Sequence, residues 1–433
     1  MSSALPVFTT GLGPEELERR TRQWIEDQIP ATWREAARRG GGSAIRKVRS
    51  RSEYEAWYPA FAATGLVAPT WPQEYGGAGL TPDEARLIEG LLQPYNLGRL
   101  NPLGLSLAAP ALFSFGTEEQ RRRYLPPIVR NEEIWCQLFS EPGAGSDLAS
   151  LSTRAVRDGD SWVITGQKVW NTWAHLADFG VLLARTDPDV PKRQGITYFL
   201  IDMHQAGVEV RPLRHITGEI DFNEVFLDEA LVPDDQRVGE INDGWAVGNA
   251  TLSGERQMVS GAGSGGVDRI GGSGASRLVT LAKENSKSGV APGWDDPLIR
   301  QEIAGLVIEE RLRSWTNQRV RAGAKAGRPL GAASSVGKIH QGDLNQRVQL
   351  LAVKLLGLRA LGWTEPHRGA ADPIDGYVEG LPYEVKSMLR SRANTIEGGT
   401  TEINKNIVAE RVLGLPREPD PWRGLPWHDV PRS

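Results

Sequence analysis

The sequence predicts an α+β multidomain chain in three parts. These are an all-α region at 1–131, a central antiparallel β-barrel or sandwich at 132–243, and a helical region at 244–433. Three observations carry that prediction. Apolar residues recur at helical spacing up to Asn131. Short β-branched and aromatic runs, separated by turn residues, then take over as far as Pro233. Beyond Pro233 the helical spacing returns.

In the first region, the stretch from Glu15 to Ile29 is charged and amphipathic, and Leu87-Ile88 and Leu91-Leu92 recur at helical spacing. Thr117 followed by Gln120 reads as a capping box that opens another helix. The Pro- and Gly-punctuated run from Trp71 to Leu80 reads as a loop. In the second region, Trp135-Cys136-Gln137-Leu138-Phe139 reads as a buried strand, and Arg154 to Ile164 as a hairpin turning at Asp158-Gly159. Short strands follow at Gly180–Ala184, Ile196–Ile201, Val208–Val210 and Glu224–Leu227.

In the third region a helix runs from Trp245 to about Ser260. Asp296 caps a helix with Pro297 at its first position, and Ile299, Ile303, Leu306 and Val307 mark its buried face. Val348, Leu351, Leu355 and Leu358 form another stripe. A last helix spans Ile403 to Leu413 and stops at Gly414, with Pro416 beyond. The run Gly261–Gly266 matches GxGxxG, but no strand precedes it and no βαβ unit surrounds it, so it is not read as a nucleotide site.

Composition narrows the function. With 50 basic against 54 acidic residues, no nucleic-acid or membrane-surface partner is implied. The single cysteine, Cys136, excludes a disulfide within the chain and any multi-cysteine metal site, and the six histidines show no ligand spacing. No metal is expected. There is no signal-type segment and no long apolar run, so the expectation is a soluble, cytoplasmic protein.

Chemistry concentrates in two polar turns. Ser140-Glu141-Pro142-Gly143-Ala144-Gly145-Ser146-Asp147 offers glycines that let backbone N–H groups face an anion, flanked by the hydroxyls of Ser140 and Ser146. Lys168-Val169-Trp170-Asn171-Thr172 offers a flat aromatic beside a hydroxyl. A dinucleotide with a planar ring system needs both.

The chain resembles the acyl-CoA dehydrogenases over nearly its whole length. The resemblance rests on PQEYGG at Pro72–Gly77, SEPGAGSDLAS at Ser140–Ser150, GQKVWNT at Gly166–Thr172 and FNEVFLDEALVP at Phe222–Pro233. GERQMV at Gly254–Val259 and IEGGTTEINKNIVAERVLG at Ile396–Gly414 complete it. It implies a C-terminal four-helix bundle and FAD as cofactor. Gln137, Phe139, Ser140, Gly145 and Ser146 would line the FAD, with Ser146 shared with the CoA arm. Trp170 would stack on the isoalloxazine, Thr172 would hydrogen-bond its rim, and Thr400 and Glu402 would reach the adenine half.

The implied reaction is α,β-dehydrogenation of an acyl-CoA, with α-proton abstraction and β-hydride transfer to flavin N5, in lipid metabolism of the fatty-acid β-oxidation kind. Electrons would pass to an electron-transfer flavoprotein. The thioester's α-proton is weakly acidic, so a carboxylate base and an oxyanion contact are needed. The commonest family position for the base is Gly398 here. By resemblance to the isovaleryl- and long-chain-type members the base is therefore Glu255, with Glu397 as the alternative. Gly398 would offer its N–H to the thioester oxygen, and Arg256 would position substrate or brace its helix.

The family implies a dimer or homotetramer, with a hetero-oligomer as a further option. Three departures bear on this. Trp173 replaces a small or polar residue, Asn285–Gly289 stands where an Arg-x-x-Phe-Gly motif is usual, and Lys354 replaces a glutamine. An oxidase or monooxygenase on the same fold, and a non-catalytic subunit, are the alternative functions. The glycine patch from Gly261 to Gly274 suggests a pocket for a branched or polycyclic acyl group.

Overall fold

The computed structural model describes residues 8–259, 274–289, 292–327, 333–362 and 381–431. Six helices come first: α1 (Pro14–Gln28), α2 (Ala31–Ile45), α3 (Arg51–Ala62), α4 (Pro82–Leu92), α5 (Ala109–Phe115) and α6 (Glu118–Arg130). Capping boxes start α3, α4 and α6, at Ser50, Thr81 and Thr117, each satisfying two backbone donors that the helix cannot. On α1 the residues Leu17, Thr21, Trp24 and Ile25 fall on one face and are buried. Trp24 joins Tyr58 and Phe61 of α3 in an aromatic core.

Eight strands follow: β1 (Trp135–Leu138), β2 (Arg154–Asp158), β3 (Ser161–Lys168), β4 (Phe179–Arg185), β5 (Ile196–Asp202), β6 (Val208–Leu213), β7 (Phe222–Pro233) and β8 (Arg237–Val238). They form one sheet in the order β6-β7-β3-β2-β4-β5-β8, with β1 beside β4. Pairing is antiparallel except for β1 with β4 and the single pairing of Arg154 with Arg185. The hairpin pairs Asp158 with Ser161, leaving Gly159 (φ +58°) and Asp160 in the turn. β1 lies against β4 and not against its sequence neighbour, so the segment 139–153 is thrown across the end of the sheet. That is where the first polar turn sits.

One face of the sheet packs on helices. Leu112, Leu125, Trp135, Leu183, Tyr198 and Val247 share a core. The other face holds Trp162, Phe199, Ile201 and Val225.

Six more helices complete the described chain: α7 (Gly244–Val259), α8 (Ala275–Ser288), α9 (Pro297–Lys325), α10 (Ala333–Leu356), α11 (Tyr383–Ser391) and α12 (Thr401–Arg411). Leu278, Ile299, Ile303, Val348, Leu351 and Leu355 bind α8, α9 and α10 together. Two expected core residues lie outside this core. Val307 is exposed at the edge of the α9 face, and Leu358 is 83% exposed because α10 ends at Leu356 and Gly357 (φ +57°) turns the chain away. The last helix begins at Thr401, two residues earlier than its apolar spacing indicates, because Thr400 caps it.

The GxGxxG run at Gly261–Gly266 lies outside the described residues. Among the described residues, no helix is long and apolar enough to cross a membrane.

Candidate active site

The first polar turn is built around a buried ion pair that the sequence reading missed. Lys168, at the end of β3, is fully buried and donates to Glu141 Oε1 (2.8 Å), Phe139 O (3.1 Å) and Leu183 O (2.8 Å). Glu141 is also buried. It accepts from Ser152 N and Oγ (2.7 and 2.9 Å) and from Thr153 N (2.9 Å). Burial alone would push this carboxyl up, but the Lys168 ammonium and the three other donors outweigh it and hold it at about 2. Burial draws Lys168 down from the ordinary lysine range, with Glu141 opposing. With every acceptor filled, the pair is ionised.

The turn closes through reciprocal backbone bonds between Glu141 and Ala144 (3.0 and 3.1 Å). Beyond that, Gly143, Gly145 and Ser146 are exposed. A Cβ at Gly143 or Gly145 would meet no atom of the chain, so sterics within the protein do not demand glycine there. Bare backbone facing open space suits the close approach of a phosphate.

The second turn is locked to the first. Val169 N donates to Ser140 O (2.9 Å). Asn171 is buried. Its Nδ2 donates to Gln137 O (2.7 Å), its N–H to Asn223 O (3.0 Å), and its carbonyl accepts from Asn223 Nδ2 (2.9 Å). Trp170 and Trp173 both take left-handed backbone conformations (φ +61° and +57°), which non-glycine residues adopt at a cost. The Trp170 indole is 60% exposed and held edge-on by Phe222 (5.9 Å, 81°), leaving an aromatic face to solvent. Thr172 is half-buried at the turn's end. Trp173 is fixed by its backbone, its N–H donating to Asp221 O (2.8 Å), and nothing in the structure explains why a tryptophan stands there.

The two candidate bases sit in different settings. Gly254 allows α7 to lie against the 104–108 segment, where a Cβ would overlap the Ser106 carbonyl oxygen. Thr251 bonds both Leu107 O (3.0 Å) and Tyr198 Oη (2.9 Å). So anchored, α7 presents the half-buried Glu255, whose Oε2 accepts from Gln137 Nε2 at 3.4 Å. Glu397 is tied down within its own segment, to Arg390 Nη2 (2.8 Å) and Asn394 Nδ2 (2.7 Å). Gly398 follows at φ +64°. Thr400 Oγ1 accepts from Ile403 N (3.1 Å) as the α12 cap, and Glu402 is exposed in that helix's first turn.

A second missed residue, Lys338 of α10, is fully buried and donates to Asn394 O (2.8 Å). Burial lowers it from the ordinary lysine range, while Glu397, Glu255 and Glu402 oppose that shift. The field of the acids singled out from the sequence is therefore felt at this ammonium, whose hydrogen bond goes to a backbone carbonyl and not to any of them. The side chain of Arg256 lies outside the described residues.

The structure thus joins Gln137, Phe139 and Ser140 to the second turn by direct bonds, and joins Glu255 to both through Gln137. The Glu397 segment approaches from the other side, with the Arg390 guanidinium 5.5 Å from the Phe222 ring that braces Trp170. Asn285, the start of the departing Asn285–Gly289 segment, is buried within the bundle. It accepts from Arg359 Nη2 (2.6 Å) and donates to Pro292 O (3.0 Å). Lys354 pairs with Glu302 across α9 and α10 (2.5 Å). Glu141 and Lys168 lie inside the quoted motifs, but 27 residues separate them and no local period links them. The polar run Thr165-Gly166-Gln167 before Lys168 gives no local signal that this lysine is buried.

An open glycine turn, an exposed indole face and a carboxylate on one wall fit FAD with a thioester. Comparison with known proteins agrees. Models of the acyl-CoA dehydrogenase N-terminal, middle and C-terminal domains match residues 14–132, 136–230 and 242–413. Acyl-CoA dehydrogenase IpdE1 of Mycobacterium tuberculosis is 38% identical, over 93% of this chain and 98% of the relative. Acyl-CoA dehydrogenase FadE34 of the same organism is 42% identical over 83% of this chain, which spans 46% of that longer protein. The solved structure titled Tcur3481-Tcur3483 steroid ACAD superposes with a TM-score of 0.70 at 28% identity, covering 94% of this chain and 98% of that one.

Proposed function

Because the chain belongs to the acyl-CoA dehydrogenase family of FAD-dependent oxidoreductases, we propose that it converts an acyl-CoA thioester to the 2-enoyl-CoA with Glu255 as the base. The observation that carries this reading is the hydrogen bond from Gln137 to Glu255, which supports it by tying the α7 carboxylate to a residue of the segment read as the cofactor's wall. Glu397, held by Arg390 and Asn394, is better suited to fixing the loop that offers the Gly398 N–H to the thioester oxygen.

When bound, FAD supplies the acceptor for the β-hydride. The Ser140–Ser146 turn cradles its phosphates, with Phe139 behind the turn. Trp170 gives its stacking face, Thr172 its rim contact, and Thr400 and Glu402 stand toward its adenine half. Glu255→Gln is expected to slow flavin bleaching by acyl-CoA roughly 10²–10⁴-fold while the protein stays yellow. Full bleaching in that variant, with loss in Glu397→Gln, would move the base to Glu397.

The substrate read from the relatives is a bulky, polycyclic acyl-CoA, since a structural neighbour is titled a steroid ACAD. Turnover confined to straight short-chain thioesters would remove that reading. An electron-transfer flavoprotein is the acceptor, which predicts bleached flavin that is slow to recolour in air. Assembly is the second point. Ile308, Leu312 and Trp315 form an exposed apolar stripe along α9, the kind of surface a second subunit covers. The neighbour's two-part title makes a hetero-oligomer the competitor of the homotetramer.

A further inference from the structure

Beyond α12 the chain returns to the β-domain, and the part that does so lies past residue 413, where the C-terminal family model stops matching. Trp427 is only 9% exposed. Its N–H donates to Val190 O (2.9 Å) and His428 N to Pro188 O (3.2 Å), while Pro426 bridges to Pro191. The Trp427 indole N–H points at Ser150 O (3.4 Å), and its ring lies 4.7 Å under the Arg185 guanidinium. Arg185 is buried. It donates to Ala149 O (2.6 Å), to Leu151 O (3.2 and 3.3 Å) and to Lys192 O (2.8 Å). Lys192 in turn grips Asp147 (2.6 Å), which also accepts from Ser150 Oγ (2.6 Å).

Two routes therefore lead from the tail to one place. The ring acts through Arg185 on 149–151, and the backbone acts through 188–191 and Lys192 on Asp147. We propose that Trp427 is a positioning residue, and that segment 426–428 clamps the Ser140–Asp147 turn from behind and so sets its affinity for the phosphates of cofactor and thioester. The part concerning affinity rests on the reading of that turn as the FAD site. The clamp itself rests on the contacts alone. A guanidinium on an indole is among the stronger exposed-to-buried aromatic contacts, and it holds a side chain whose donors are otherwise spent on carbonyls.

The test uses the full chain as wild type, Trp427→Ala and Trp427→Phe. It measures amide hydrogen exchange by peptide and, separately, FAD binding. Amides of residues 150–153 are hydrogen-bonded to Asp147 and Leu148 carbonyls and to the Glu141 carboxylate, so loosening there is visible. In Trp427→Ala we expect exchange at 150–153 about tenfold faster, with β4 and β5 unchanged, and an FAD dissociation constant raised about tenfold. Trp427→Phe should restore most of both.

Unchanged exchange at 150–153 in Trp427→Ala overturns the clamp. If that variant fails to fold, Trp427→Leu keeps the apolar filling and removes both the ring over Arg185 and the indole N–H, and unchanged exchange there overturns the proposal equally. A wild type that takes up no FAD overturns the cofactor reading instead, and it is told apart because the exchange measurement needs no flavin.

Discussion

Glu141 shows how much a single buried charge can organise. Four donors converge on its carboxylate, one of them a fully buried ammonium, and the turn above inherits its shape from that arrangement. Removing the charge leaves Lys168 buried without a counterion, so Glu141→Gln should cost about 3–5 kcal/mol in denaturant unfolding. The pH dependence has a definite sign. The folded carboxyl is held below its unfolded value of about 4.5, so its contribution is full above that value. It is lost as pH falls toward about 2. Acid unfolding followed by circular dichroism should therefore show a steep limb in this window for the wild type, and a shallower one for Glu141→Gln. The motif around Glu141 was legible in the sequence, but its partner was not. A lysine that closes β3 looks like any strand-end charge until β1 and β4 bring Phe139 O and Leu183 O to it.

At the scale of elements, the turn after β3 carries two left-handed tryptophans, an arrangement that local propensity argues against. Its place is imposed by Asn171 and Asn223, which exchange hydrogen bonds across β7 and tie the turn to Gln137. Trp170→Gly should thus leave the apoprotein's melting temperature unchanged or raise it, because glycine accepts this conformation freely, while FAD affinity drops by about tenfold or more. Differential scanning fluorimetry with and without FAD separates the two effects. A fall in melting temperature of the apoprotein would show that the indole holds the turn.

Two helix starts, at Thr117 and at Asp296-Pro297, were legible because a cap is written in adjacent residues, while the caps at Ser50, Thr81 and Thr400 went unread. Thr117→Ala should accordingly cost about 1 kcal/mol in denaturant unfolding. Helix faces near their ends were less legible. Leu358 continues the spacing of Val348, Leu351 and Leu355, yet α10 has already ended, and periodicity alone does not mark where Gly357 breaks it. The parallel pairing of β1 with β4 was hidden for a similar reason, since alternation along a strand does not identify its neighbour.

For the whole molecule, the helical, β, helical order was readable from changes of period alone, and the architecture follows it. The exposed stripe on α9 belongs to the same scale. Leu312→Glu should shift the protein to a smaller species in sedimentation velocity, with FAD affinity falling if a neighbour helps hold the adenine half. A wild type that sediments as a monomer would dismiss the stripe as an interface.

The seating of Trp427 also has a consequence for how the protein is made. Ser150 and its partner indole are 277 residues apart. At translation rates of about 5–20 residues per second, the indole emerges roughly 15–55 s after the loop it secures. For that interval the nascent β-domain exists without its clasp. A ribosome-bound chain stalled before residue 426 is expected to leave 150–153 open to protease, and flavin loading is expected to follow translation and not accompany it.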